Sequence, residues 1–207
     1  EIPVSQVPSA SAPPNEENVL LQSQRGSVLT LTLNRPRSGN SLSHGLIAAL
    51  YERFQALEDD DSVHVVVIAG AGDRIFCSGH DLNETIADTS PAYSRQYGRE
   101  SSRMFQAITA LRQPVIAKVR GVATAAGCQL VASCDLAVAA EGARFATPGV
   151  NIGQWCSLPM VALSRAVSRK HAMQMLLTGR LYDAQTAMRM GLDRKSTRLN
   201  SSHVALS

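Results

Sequence analysis

GVATAAGCQLVASCD, residues 121–135, is a run of tiny residues that gives way to Gln129 and then to an apolar segment ending at Asp135. Its first half offers almost no side chains, so a neighbouring segment or a ligand can come close to the backbone. Its second half, Gly127–Ser133, reads as a helix. The N-terminus of a helix presents unpaired N–H donors and a partial positive charge. A second small-residue run, Cys77-Ser78-Gly79-His80, lies upstream. Both runs follow apolar stretches that read as buried strands, His64–Ala69 (HVVVIA) and Val115–Val119 (VIAKV). Two backbone donors converging from such loops can hold a developing oxyanion. Close helix–strand packing without any ligand is the other reading that spacing allows.

Outward from this stretch the pattern alternates. Ser27–Leu33 (SVLTLTL) switches between apolar and polar residues, as a half-buried strand does. Asn34-Arg35-Pro36 breaks it. Leu42, Leu46, Leu50, Phe54 and Leu57 then fall three and four apart and predict one face of a helix, with Ser41 or Ser43 as cap. Pro91–Leu111 predicts a second long helix, stopped before Pro114. Leu136–Ala140 predicts a strand; Leu158–Val167 and Ser168–Leu177 predict helices, the second ending at Gly179. Asp183 is placed to cap a last helix that stops at Gly191. Strands alternating with helices predict an α/β class. There is no close internal repeat.

The 207 residues suffice for one sizeable core plus tails. A hydrophobic fraction of 44% and a charged fraction of 18% are those of an ordinary globular chain. A net charge of +3 without a basic stripe before residue 190 argues against a nucleic-acid surface. No apolar run reaches the roughly 18 residues of a membrane span. The four cysteines, at 77, 128, 134 and 156, make no CxxC pair and read as buried free thiols of a reducing compartment. No cluster has metal-ligand spacing. Residues 1–18 (EIPVSQVPSASAPPNEEN) read as a disordered leader with no signal-peptide core and no Arg or Lys of a transit peptide. Beyond Leu192 the apolar pattern stops. DRKSTRLNSSH, residues 193–203, resembles an in-frame translation of a sequencing adapter, so residues 193–207 are set aside as a non-native tail.

Several motifs in order resemble the crotonase superfamily, the enoyl-CoA hydratase/isomerase family. They are LNRP-x3-NSL at 33–42, FCSGHDL at 76–82, PVIAKVRGVATAAGCQLVASCD at 114–135, FATPGVNIG at 145–153 and LTGRLYDAQTAMRMGL at 177–192. The resemblance covers residues 19–192. It implies a ClpP-like spiral of repeated ββα units, with the family's C-terminal helical region missing from this chain. A homotrimer or hexamer is implied for a full-length protein, in a mitochondrial matrix or a bacterial cytoplasm. Apolar surface left uncovered on Leu158–Leu192 would make a chain of this length prone to aggregate.

The resemblance further implies an acyl-CoA thioester as ligand, with no cofactor beyond its coenzyme A, no metal, and neither nucleic acid nor membrane as partner. Backbone N–H groups of His80 and Ala126 would form the oxyanion hole. Arg37, Ser38 and Leu42, with the backbone of Ser78, Asp81 and Leu82, would contact coenzyme A. A guanidinium suits its phosphates, although Arg37 reads equally as a surface residue. The Asp81 side chain reads better as a cap for a turn at Leu82–Ile86, and Asn40 as a turn-stabilising residue. The chain departs from the family where hydratases carry two glutamates: these positions hold Gln129 and Gly149. An amide cannot accept and return a proton near neutral pH, and glycine has no side chain. Ordinary hydration is therefore not expected. His80 is the one histidine in a motif loop, so its imidazole is the candidate substitute, against a purely backbone role. Cys156 reads as packing rather than as a nucleophile. His44, His64 and His171 read as structural or exposed. Two functions stay open: an acyl-CoA enzyme with altered chemistry, such as a lyase, isomerase or hydrolase, or a non-catalytic acyl-CoA-binding regulator of lipid metabolism.

Overall fold

The structure, a computed structural model, describes residues 18–193 and 195–197. The chain runs β1 (Leu20–Arg25), β2 (Val28–Leu33), a 3-10 turn (Pro36–Ser38), α1 (His44–Ala56), β3 (Val65–Gly70), β4 (Ile75–Cys77), α2 (Leu82–Ala87), α3 (Pro91–Ala110), β5 (Val115–Val119), β6 (Val122–Thr124) and α4 (Ala126–Ser133). It continues through β7 (Leu136–Ala140), β8 (Arg144–Ala146), a 3-10 turn (Pro148–Ile152), α5 (Ser157–Ala166), α6 (Arg169–Thr178), β9 (Tyr182–Asp183), α7 (Ala184–Met190) and β10 (Lys195–Thr197).

Two sheets form. The larger has the order β1-β2-β3-β5-β7-β10, parallel except for the β1–β2 hairpin. The smaller has the order β4-β6-β8-β9, with only β9 antiparallel. Each of the pairs β3–β4, β5–β6 and β7–β8 therefore sends one strand to the large sheet and the next to the small one, before a helical segment carries the chain onward. This is the spiral of ββα units that the motifs imply. The small-sheet strands β4, β6 and β8 have three residues each, too few for a period-2 pattern to register.

The core is one continuous cluster. Leu29, Leu31 and Leu33 of β2 alternate inward, α1 contributes Leu46, Ile47, Leu50 and Phe54, and Phe76 and Phe145 fill the space beside the small sheet. Most expected elements form within a residue or two of their expected ends. Helix α1, however, begins at His44 rather than at Leu42, and Ser43 rather than Ser41 caps it, accepting from the Leu46 N–H. Leu42 keeps its place in the core but is extended, because it bridges in parallel to His80. Strand β10 lies within the segment set aside as non-native and pairs with Val138–Ala140. A parallel edge strand is held by backbone groups and needs no apolar pattern to pair. On α5–α7 and the link from α6 to β9, Val161, Met173, Leu177, Leu181 and Met188 leave apolar surface exposed. All four cysteines are free thiols. Among the described residues no helix is long and apolar enough to cross a membrane.

Candidate functional site

The two small-residue runs meet. A Cβ on Gly127 would lie 2.0 Å from the Cys77 carbonyl oxygen, so the first turn of α4 rests directly on the backbone of β4. A Cβ on Gly79 would lie 2.9 Å from the Ala125 Cβ and 3.2 Å from the Ala126 nitrogen. Glycine at these contacts brings the His80 loop against the N-terminus of α4, the close packing that the small residues allow. Among the described residues neither the His80 nor the Ala126 N–H donates to a backbone carbonyl. The direction of the first is fixed. The Gly79 carbonyl accepts from the Leu42 N–H at 2.8 Å. In a planar trans peptide the His80 N–H then points away from Leu42. Ala125, just before α4, has φ 51° and ψ −121°, a left-handed conformation that strains a residue with a Cβ.

The His80 imidazole faces the other way. Its Nε2 lies 2.7 Å from the Ser101 Oγ on α3, and its ring packs 5.1 Å from that of Tyr97. Burial pushes its pKa down to about 4, so the ring is neutral near pH 7. The imidazole is therefore a structural anchor, and the part of His80 free to meet a ligand is its backbone. His44 is structural too, with Nδ1 2.6 Å from Glu100.

The coenzyme A candidates collect beside this loop. Leu42, wholly buried, is joined to it by the Leu42 N–H bond to Gly79 and by the Asp81 N–H bond to the Leu42 carbonyl, 3.2 Å. Ser78 donates its N–H to Gly39, and its side chain packs against Gly39 next to Ser38. Arg37 and Leu82 are exposed on the same rim, and Arg37 makes no ion pair among the described residues. The Asp81 carboxylate is a cap, as the sequence suggests, accepting from the Asn83 N–H. It is also half of an ion pair that the sequence conceals: Arg35 reaches it at 2.6 Å, and the Ser41 hydroxyl donates to it at 2.9 Å. Burial raises the Asp81 pKa, but the Arg35 and Ser41 hydrogen bonds and the Arg35 charge outweigh that and hold it below the usual carboxylate range. Asn40, buried with φ 51°, ties its amide to the Ala71 and Ile75 carbonyls and accepts from the Arg35 N–H, the turn role expected of it.

Gln129 lies one turn into α4, and a helical side chain leans toward the N-terminus of its helix, here toward Ala125 and Ala126. It is buried, and its Oε1 has no hydrogen-bond partner. Thr147, buried after β8, likewise has an unpartnered hydroxyl. It sits next to Ala146, whose carbonyl accepts from the Ala125 N–H. At Gly149 a Cβ would lie 2.4 Å from the Gln154 carbonyl oxygen and 2.8 Å from the Cys156 Sγ. No side chain fits there without moving the 154–156 segment. Burial raises the Cys156 pKa, and the Gly149 backbone hydrogen bond only partly counters it, which leaves a packed thiol rather than a nucleophile. Among the described residues no cluster of His, Cys, Asp or Glu could hold a metal ion. Cavities of about 520 Å³ between β1 and α1 and about 200 Å³ between α1 and α3 lie away from these loops. Arg35, Tyr97, Ser101 and Thr147 escape sequence reasoning, because each acts through a partner distant in the chain.

Residues 23–198 match the family described as "Enoyl-CoA hydratase/isomerase". The chain is 47% identical over 178 residues to the Danio rerio "Enoyl-CoA hydratase domain-containing protein 3, mitochondrial", covering 86% of this chain and 61% of that protein. A solved enoyl-CoA hydratase of Mycobacterium smegmatis superposes with a TM-score of 0.85 at 49% identity, covering 87% of this chain and 70% of that one. The human enoyl-CoA hydratase domain-containing protein 3 superposes with a TM-score of 0.80 at 40% identity, covering 87% and 71%. The chain spans about three fifths of the length of the first curated relatives it matches.

Proposed function

We propose, because the chain belongs to the enoyl-CoA hydratase/isomerase family, that it binds acyl-CoA thioesters with the His80 and Ala126 N–H groups directed at the thioester oxygen. The observation that carries this reading is the contact of Gly79 with the N-terminus of α4, which brings two uncommitted donors together. Donors fixed before the ligand arrives favour a carbonyl as it gains enolate charge. Coenzyme A would lie along Arg37, Ser38, Leu42, Ser78, Asp81 and Leu82. Beyond the coenzyme A of its ligand, the reading requires no cofactor.

Ordinary hydration is not part of the proposal. Gln129 and Gly149 supply no group that can take a proton from water and return it to the α-carbon. Any turnover would use the two N–H donors with a bound water or another acid, in a lyase, isomerase or hydrolase reaction. The second reading, a non-catalytic acyl-CoA-binding protein of lipid metabolism, is favoured by one observation: the 154–156 segment closes over Gly149 and leaves no room for a side chain. The names of the vertebrate relatives support a mitochondrial setting, with bacterial cytoplasm as the alternative. A homotrimer or hexamer is the assembly proposed for a full-length protein.

Calorimetric titration with butyryl-CoA and crotonyl-CoA, alongside a crotonyl-CoA hydration assay, tests the proposal. Binding without hydration is expected. Absence of binding to both thioesters would overturn it, and hydration at ordinary enzymatic rates would overturn the statement about Gln129 and Gly149.

A further inference from the structure

Beside the His80 loop, the Tyr97 hydroxyl of α3 is wedged between two backbone groups. It donates to the Leu42 carbonyl and accepts from the Asp81 N–H at 3.1 Å. The same Asp81 N–H also reaches the Leu42 carbonyl, so three polar groups close on one point. Leu42 is the residue whose N–H holds the Gly79 carbonyl, and that carbonyl shares its peptide plane with the His80 N–H. Orientation thus passes from Tyr97 to Leu42, and from Leu42 to the Gly79–His80 peptide. The same helix grips His80 a second time, through Ser101 one turn further along, while the Tyr97 ring packs against the imidazole. Tyr97 is itself braced by the rings of Tyr93 and His44, the latter tied to Glu100.

We infer that Tyr97 is a positioning residue that sets the aim of the His80 N–H at a thioester carbonyl. This rests on the acyl-CoA reading above and deepens it. Tyr97 touches no ligand. It acts through Leu42, whose N–H holds the Gly79 carbonyl, and through the Asp81 N–H that follows His80, and a misaimed donor loses its grip on the carbonyl steeply as the hydrogen-bond angle falls. Ser101 is its lesser partner, restraining only the side chain of His80.

The test uses the full chain with cinnamoyl-CoA, whose absorption moves to longer wavelength when its carbonyl is polarised. Spectra at saturating protein and thermal melts are recorded for the parent, Tyr97→Phe and Ser101→Ala. A red shift on binding to the parent is expected, cut by half or more in Tyr97→Phe and by less in Ser101→Ala. A general loss of packing would lower the melting temperature, and it would not scale down the shift per bound molecule. If the parent shifts the probe and saturated Tyr97→Phe shifts it equally, the inference about Tyr97 fails alone. If the parent does not bind the probe, the acyl-CoA reading fails and takes the inference with it; if it binds with no shift, thioester binding stands, and the aim of the two N–H donors and the inference about Tyr97 fail together. Should Tyr97→Phe not fold, Tyr97→Met, which also lacks the hydroxyl, takes its place, and a shift equal to the parent's there overturns the inference.

Discussion

Replacing Gly149 with glutamate puts a carboxylate where the resemblance to the hydratases implies one, and the structure says the position will not accept it. The Cβ alone would stand 2.4 Å from the Gln154 carbonyl oxygen, whereas ordinary contact begins at 3.4 Å, so the two must separate by about 1 Å. Gln154 cannot simply withdraw, because its N–H donates to the Gly149 carbonyl at 2.9 Å. Overpacking of this kind costs about 1–3 kcal/mol, and loss of the tether adds about 1 kcal/mol. With a urea slope of about 2 kcal/mol/M, the midpoint should fall by about 1–2 M. Equilibrium urea unfolding of the parent, Gly149→Ala and Gly149→Glu measures this directly, and Ala should already show most of the loss. Gln129→Glu added to Gly149→Glu should not create a crotonyl-CoA hydratase, because the new carboxylate arrives with a displaced 154–156 segment. An unchanged midpoint in Gly149→Ala would refute the steric argument. A turnover of about 1 per second or more in the double variant would refute its functional half.

Ala125→Gly should stabilise the chain by about 1 kcal/mol, since glycine removes the strain of φ 51° at the start of α4; a melting temperature that falls would show the conformation to be unstrained. His80 predicts a pH dependence. Its folded pKa, about 4, lies below the usual histidine value, so the unfolded chain binds the extra proton first. Its contribution to stability is present above about pH 6.5 and is lost as pH falls toward 4. His80→Gln should flatten that part of a stability–pH curve, and an unaltered slope would count against a neutral buried ring. The exposed apolar side chains of α5–α7 predict concentration-dependent association of this chain; a monodisperse trimer in a sizing measurement would contradict that.

The sequence by itself determined β2, β3, β5 and β7 of the large sheet, the long helices and the family, but neither edge strand, β1 or β10. Runs such as HVVVIA and the leucines of β2 carry the burial of their strands in their own composition, and the small-residue motifs mark the backbone that must come close to something. The caps at Asp81 and Asp183 were legible for the same reason, because a cap is a bond between near neighbours in the chain. Only the tertiary structure decided what the small residues pack against, since the thing Gly127 approaches is Cys77, fifty residues away. It moved Leu42 out of a helix whose period it fits, because a bridge to His80 satisfies its backbone better than one more turn. It also seated the His80 imidazole on Ser101, paired Arg35 with Asp81 and placed the Tyr97 hydroxyl between Leu42 and Asp81. The physical reason is common to all of these. Periodicity and propensity are local, whereas the direction of a single N–H is set by partners that meet only when the chain has folded.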